Sequence, residues 1–347
     1  MKIVVLAGGF SAERNVSFST STLICKALRE MGHQAVMVDA YLGLETEKPS
    51  ALFDTLPPLS LEQIEERAPD LSAVRAKKAD GGRNFFGPHV LEICQEADLV
   101  FIGLHGQCGE DGKVQATFDL MGIPYTGSGF LGSALAMDKS LAKQLAAEAG
   151  VNTPKWELLS YHHNEIPALM ERLSVPCAIK VHNGGSSIGV FLPKTKDELA
   201  SALKNVLEYG DRIIWEQFVE GREFSVGVLG NECLPPIEII PKTGFYDYKN
   251  KYQPGATLEI CPADLTEKED ETLRRQALLV HRTLGLSVYS RGEFILDSHG
   301  ETWFLEVNTL PGMTPTSLLP QEAAAVGISY HDLCKTIIDA SLQLRQM

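Results

Sequence analysis

The chain has 347 residues, with 31 Lys and Arg against 45 Asp and Glu, a formal net charge of −14. That length holds two or three domains with room for a core, and 44% hydrophobic with 22% charged residues is an ordinary soluble, globular composition. The acidic balance speaks against sequence-independent nucleic-acid binding, which needs a basic footprint, and seven scattered cysteines without a C-x-x-C pair speak against a disulfide framework or zinc finger.

In chain order, Lys2–Ala7 reads as a buried strand, too short for a signal-peptide core and closely followed by Glu13 and Arg14. Residues 16–31 read as an amphipathic helix, with Val16, Leu23, Ile24, Ala27, Leu28 and Met31 near helical spacing, and 34–38 as a second strand. Residues 45–84, rich in Pro and charge, break the rhythm and read as an exposed insertion with one short helix at 61–67. A strand at 97–104 resumes the alternation and puts a small parallel α/β domain over 1–137. A second unit, 138–220, opens on a helix at 138–149 and continues with strands at 177–181 and 188–192, a helix at 196–208 and a strand at 213–218. The third, 221–347, has strands at 223–229 and 234–240, a loop, and a helix at 266–284. A hairpin of 288–296 with 302–307, a Gly/Pro/Thr-rich loop and a helix at 330–346 complete it. No stretch reaches the roughly 18 apolar residues of a membrane span, so the expectation is a cytoplasmic protein without a membrane or nucleic-acid partner.

Four stretches carry chemistry. After the first strand, Gly8 and Gly9 precede Glu13-Arg14 at a sheet edge where open α/β sheets bind ligands; Glu13 there suits a cationic amine, and a plain tight turn is the alternative. The loop His105-Gly106-Gln107-Cys108-Gly109-Glu110-Asp111-Gly112 leaves the same edge. His105 reads as a site residue, or else as a satisfied core histidine, while Glu110 and Asp111 read as caps of the next helix. The third stretch, Lys180 followed by Gly184-Gly185-Ser186-Ser187, is a lysine and a flexible hydroxyl-rich loop fit to grip phosphate, or a simple hairpin turn. Lys139, opening a helix, offers a second phosphate ligand.

The hairpin is the strongest signal. With 298–301 as its loop, Asp297 faces Thr302, Glu293 faces Glu306 and Arg291 faces Asn308, all on one side of the sheet. Two carboxylates and an amide make an all-oxygen cluster suited to Mg²⁺ with substrate phosphates; the apolar neighbours Phe294, Phe304 and Val307 argue against a solvated face. In the loop that follows, Gly312 offers a bare N–H for an oxyanion, and Ser317 opens a helix whose N-terminus can hold a carboxylate.

Taken in order, GGFSAER, LHGQCGEDG, YTGSG, AMDK, GGSSIG, EGREF, YDYKNKY and LEVNTLPGMTPTSL make the chain resemble the D-alanine–D-alanine ligases of the ATP-grasp superfamily, from Lys2 to near the C-terminus. The resemblance implies an α/β fold of the α+β ATP-grasp kind, a Rossmann-like parallel sheet domain followed by two ATP-grasp lobes, with ATP between the second and third domains. It implies that Lys139, Lys180 and Ser187 meet the phosphates, that Glu216 and Glu223 bind adenine-side and ribose groups, and that the backbone at Phe218 and Val219 reads adenine. Glu293, Glu306 and Asn308 would hold two Mg²⁺ or Mn²⁺ ions, with a monovalent cation such as K⁺ as a further cofactor. Glu13 would bind the first D-alanine's ammonium and join Ser186 and Tyr252 in a closing triad. Arg291 and Gly312 would support the tetrahedral intermediate, with Ser317 and Leu318 holding the second D-alanine's carboxylate and His105 and Lys251 also at the substrates. The family further suggests a homodimer. Departures are Glu293 where relatives commonly carry Asp, His182-Asn183-Gly184 before the phosphate loop, and Gln217 where many have lysine. A D-alanine–D-lactate or D-alanine–D-serine ligase, distinguished near Tyr252, and a non-catalytic nucleotide-binding module, which would have lost the lysines or the acids, are the alternatives.

Overall fold

Ile3, Val4, Val5 and Leu6 are fully buried in the computed structural model of the chain, as a strand covered on both faces must be. The structure describes residues 1–60, 69–253 and 255–345, with the side chains of Lys249 and Tyr252 outside the description; the expected helix at 61–67 therefore lies outside the described residues. β1 (Lys2–Ala7) runs parallel between β2 (Gln34–Asp39) and β3 (Leu99–Ile102). The helix Arg14–Glu30 begins earlier than its apolar pattern shows, so Glu13 is its N-cap position. Residues 45–84 are not merely exposed. Phe53 is buried in the first core and Lys78 turns its ammonium to the carbonyls of Asn84 and Phe85, two anchors that the surrounding charge conceals. The same core takes in Leu333, Ile337 and Ile338 of the last helix, Tyr330–Arg345, so the C-terminal end of the chain packs on the N-terminal sheet.

A second sheet is antiparallel: β4 (Trp156–Ser160), β5 (Cys177–Val181), β6 (Val190–Phe191) and β7 (Arg212–Gln217) stand in the order β4-β7-β5-β6. β4 is an addition to the sequence reading, and the strand expected at 188–192 shrinks to two residues. Ser186 and Ser187 take left-handed φ of 47° and 57°, a conformation that ends strand pairing. The third sheet holds β8 (Gly221–Leu229), β9 (Glu232–Cys233), β10 (Ile237–Pro241), β11 (Thr257–Ile260), β12 (Tyr289–Asp297) and β13 (Thr302–Asn308) in the order β11-β10-β8-β12-β13, with β9 on β8. The helix Glu267–Thr283, opened by a capping box of Thr266 and Glu269, packs behind it.

At the hairpin, Arg291 pairs with Asn308 and Glu293 with Glu306, as period-two alternation requires. Nearer the turn the expected pairing fails: Thr302 faces Leu296, not Asp297. A bulge opposite the Glu293/Phe294 step, where Leu305 is skipped, restores the register before the acidic pair.

Candidate active site

Glu13 occupies the N-cap position of its helix without making a capping bond. Its carboxylate turns instead toward the second lobe, where Ser186 Oγ donates to Oε1 in a short hydrogen bond. A Cβ on Gly185 would stand 2.5 Å from Glu13 Oε2, so the loop 184–189 can reach this carboxylate only with a glycine there. Burial raises the Glu13 carboxyl above the usual range, and the Ser186 hydrogen bond and Lys251 only partly offset it.

Two lysines four residues apart on the helix Lys139–Glu148 face inward. Lys139 Nζ donates to the Gly184 carbonyl at 2.6 Å and pairs with Glu306 Oε2 at 3.0 Å. Lys143, fully buried, pairs with Glu216 Oε2 at 2.6 Å and donates to the Phe304 carbonyl at 3.1 Å. The other Glu216 oxygen takes Lys180 Nζ at 2.7 Å. Burial alone would push Glu216 up; the two ammonium groups outweigh it and hold it below the usual carboxylate range. For Lys180 the same pairing outweighs burial and raises it, whereas burial wins at Lys143 and brings it down to about 8. Sequence reasoning passed over Lys143, although its spacing from Lys139, beside the buried Ala142 and Ala146, marks the inward face.

Arg291 NH2 lies 2.9 Å from Glu293 Oε1, and Lys251 Nζ 3.8 Å from the same atom. Burial raises Glu306, but Lys139, Lys251 and Lys180 together bring it down to about 2. Glu223, pushed up by burial and then by Glu293, reaches about 7. A cavity of about 800 Å³ opens between the second and third sheets, a size suited to a cofactor or nucleotide. Lys139, Lys180, Ser187, Glu293 and Glu306 line it, as do Glu216, Phe218, Val219 and Glu223. Asn308 borders an adjoining space of about 10 Å³ together with Glu110 and Lys139.

The residues fit a divalent cation. Glu293 is buried, its Oε1 held at ion-pair distance by Arg291 and Lys251, and it faces the second carboxylate, Glu306, across the ladder. Among the described residues no group of three His, Cys, Asp or Glu side chains is arranged as a metal site. The chain thus offers two carboxylates and an amide, leaving further positions to phosphate and water, as Mg²⁺ prefers.

Ser317 caps the helix Leu318–Ala325 without a side-chain capping bond; its Oγ accepts from the Thr314 N–H at 3.2 Å. The helix's first N–H groups, that of Leu318 included, are therefore without a side-chain cap. A Cβ on Gly312 would lie 2.8 Å from Ser317 Oγ, so the bare residue brings its backbone beside Ser317. His105 accepts from Thr20 Oγ1 at 3.1 Å through Nε2 and meets the Leu310 carbonyl at 3.0 Å through Nδ1. Burial lowers it to about 4, so the ring is neutral and braces the backbone two residues before Gly312. The expectation that Glu110 caps the following helix fails. That helix, Lys113–Met121, starts from Gly112 without a side-chain cap; the loop folds back, and Glu110 Oε2 accepts from the Gly106 N–H at 2.9 Å. Asp111 keeps part of the role, accepting from the Lys113 N–H at 3.3 Å. Tyr252 ends the helix Tyr248–Tyr252, its side chain outside the description.

Residues 2–128 match the family described as D-ala D-ala ligase N-terminus, and 145–339 its C-terminus. A D-alanine–D-alanine ligase of Pediococcus pentosaceus is 41% identical over 342 residues, covering 97% of each chain. One of Oleidesulfovibrio alaskensis is 42% identical over 346 residues, covering 99% of this chain and 97% of its own. A Bacillus anthracis D-alanine–D-alanine ligase complexed with ATP superposes with a TM-score of 0.73 at 28% identity, covering 100% of this chain and 99% of its own. VanG D-Ala:D-Ser ligase from Enterococcus faecalis reaches the same TM-score at 26% identity, covering 98% and 99%.

Proposed function

The chain belongs to the D-alanine–D-alanine ligase family, an ATP-dependent enzyme joining two D-alanines for peptidoglycan synthesis, and we propose how its residues divide that work. A carboxylate is a poor acyl donor, so the first D-alanine's carboxylate takes the γ-phosphoryl group of ATP and becomes an acyl phosphate. Positioning and charge neutralisation carry this step. Lys139, Lys180 and the loop with Ser187 hold the phosphates, with Lys180 aimed by Glu216, whose oxygens are both committed to lysines. Glu223 takes ribose, and the backbone at Phe218 and Val219 reads adenine. Glu293, Glu306 and Asn308 hold Mg²⁺ or Mn²⁺, which when bound supplies charge neutralisation on the phosphates.

The amine of the second D-alanine then attacks the acyl carbonyl, and phosphate leaves with one carboxylate oxygen. Arg291 and the Gly312 N–H support the oxyanion, and Ser317 with the Leu318 N–H takes the second carboxylate. A hydroxyl that gives its proton to Glu13 can still accept one, which suits Ser186, with Tyr252, to draw the proton from the attacking amine. His105 holds the oxyanion loop, and Lys251 stands beside Glu293. Closure of the 184–189 loop on Glu13 keeps water from the acyl phosphate. That contact, linking the first-substrate carboxylate to the phosphate loop, is the observation that carries the reading. The three-part division at 137/138 and 220/221, a cytoplasmic homodimer and a monovalent cation complete the proposal.

If Glu13 grips the first ammonium, Glu13→Gln raises the KM for that D-alanine far more than for ATP. In the parent enzyme that KM rises as pH falls through the elevated Glu13 value, because the protonated acid no longer pairs with ammonium. Equal effects on both substrates would mark Glu13 as structural.

The product test uses the closing segment. Residues 244–253 contain no histidine, and Tyr252 brings a phenol in its place, a group whose free pKa of about 10 lies well above that of an imidazole. No imidazole there gains a positive charge at mildly acid pH and so turns away an incoming ammonium. With equal D-alanine and D-lactate, the dipeptide is the dominant product from about pH 6 to about 8.5, its rate rising with pH as the amine deprotonates. Substantial depsipeptide at the acid end would refute the assignment.

A further inference from the structure

Glu322 lies on the helix Leu318–Ala325 with no solvent exposure, and none of the roles above uses it. Its Oε1 accepts from Ser225 Oγ at 2.8 Å, and Ser225 Oγ accepts in turn from Arg291 NH1 at 3.3 Å. One hydroxyl thus passes donation in a single direction, from guanidinium to serine to carboxylate. The opposite strand is shaped for the acid: a Cβ on Gly227 would stand 2.2 Å from Glu322 Oε2, so only glycine leaves room for it. Gly227 is also the residue that β8 pairs with Arg291. Burial pushes Glu322 up to about 7, while Ser225 and Arg291 pull it back toward the ionised form.

We infer that Glu322 is a positioning residue for Arg291: through Ser225 it fixes the guanidinium at the reacting carbonyl and ties it to the helix that receives the second D-alanine. Three placements meet here: Ser225 and Gly227 share a strand face, Arg291 lies on the strand opposite them, and Glu322 follows Ser317 and Leu318 by about one helical turn. The arginine and the second-substrate helix then move as one piece, which aligns the incoming amine and the developing oxyanion together. A buried acid without that link serves packing alone and leaves kinetics untouched.

The inference rests on the assignment of Arg291 to the intermediate, so the test includes Arg291→Ala. The probe is a phosphinate dipeptide whose tetrahedral phosphorus mimics the intermediate, with kcat and the KM for ATP read beside it. Glu322→Ala is expected to lower kcat and phosphinate affinity about tenfold while the KM for ATP stays within about twofold. Glu322→Gln, which keeps an acceptor for Ser225, recovers most of that loss. Ser225→Ala, which leaves the acid in place, reproduces it, and the double variant Ser225→Ala/Glu322→Ala is no worse than either single one. Parent-like kcat and affinity in Ser225→Ala, or additive losses in the double variant, would overturn the relay while leaving Arg291 in its role. Undiminished phosphinate affinity in Arg291→Ala would overturn the relay through failure of the Arg291 assignment itself. Should Glu322→Ala not fold, Ser225→Ala and Glu322→Gln decide.

Discussion

Glu306→Gln is expected to cut phosphate release by at least about a hundredfold, the scale of losing a major electrostatic contribution. Glu306 faces Glu293 across the ladder and pairs with Lys139 at 3.0 Å. Three lysines overcome its burial and hold it at about 2, so it is ionised at any working pH. Glutamine keeps the shape and removes the charge. The cation face loses one of its two carboxylates, and Lys139 loses the partner that orients it toward phosphate. Phosphate release by the purified variant, with its fold verified by circular dichroism, is the check; near-normal turnover would rule out the metal assignment.

Glu216→Gln is expected to damage stability and nucleotide binding together. In the parent, Glu216 stands between Lys143 at 2.6 Å and Lys180 at 2.7 Å. The variant leaves a fully buried ammonium facing another cation, and breaking such a buried pair costs about 3–5 kcal/mol. Lys143→Met/Glu216→Gln should recover part of that, since it removes the stranded charge. The pH dependence has a definite sign. Lys143 sits at about 8 in the parent and goes lower once its counter-charge is gone, so the variant's folded state binds fewer protons over that interval. The stability gap between variant and parent therefore narrows as pH rises from about 6 to about 8. Denaturant unfolding across that range measures it, and a gap that widened with pH would contradict the buried ion-pair triad. The KM for ATP should rise at least about tenfold as Lys180 loses its aim.

The sheet elements that carry the site are legible because burial writes itself into the sequence as alternation. Lys2–Ala7 and the Glu293/Glu306 pairing need only period-two reasoning. The turn register is hidden, because a bulge at Leu305 leaves no sequence signature, and the simple pairing resumes at the acids. Glu110 and Glu216 illustrate a different limit. An acid beside a helix start looks like a cap, and an acid on a strand near a nucleotide looks like a ligand; only tertiary neighbours show that one binds the Gly106 N–H and the other two lysines. Lys143 reads as a surface lysine until Glu216 and the Phe304 carbonyl are brought to it from more than seventy residues away. Phe53 likewise vanishes inside a charged stretch whose composition says exposure. Local pattern finds elements and faces, while long-range partners decide what a buried charge does.

Activation of D-alanine as an acyl phosphate is tested most directly by an isotope. D-Alanine carrying ¹⁸O in both carboxylate oxygens is incubated with ATP, Mg²⁺ and the parent enzyme, and the phosphate and dipeptide are weighed by mass spectrometry. Attack by the second amine expels phosphate with the bridging oxygen, so each phosphate should carry one ¹⁸O and each new amide carbonyl should retain the other. Unlabelled phosphate formed in step with dipeptide would contradict the acyl phosphate, and with it the division of labour among Lys139, Lys180, Arg291 and the Glu293–Glu306 pair.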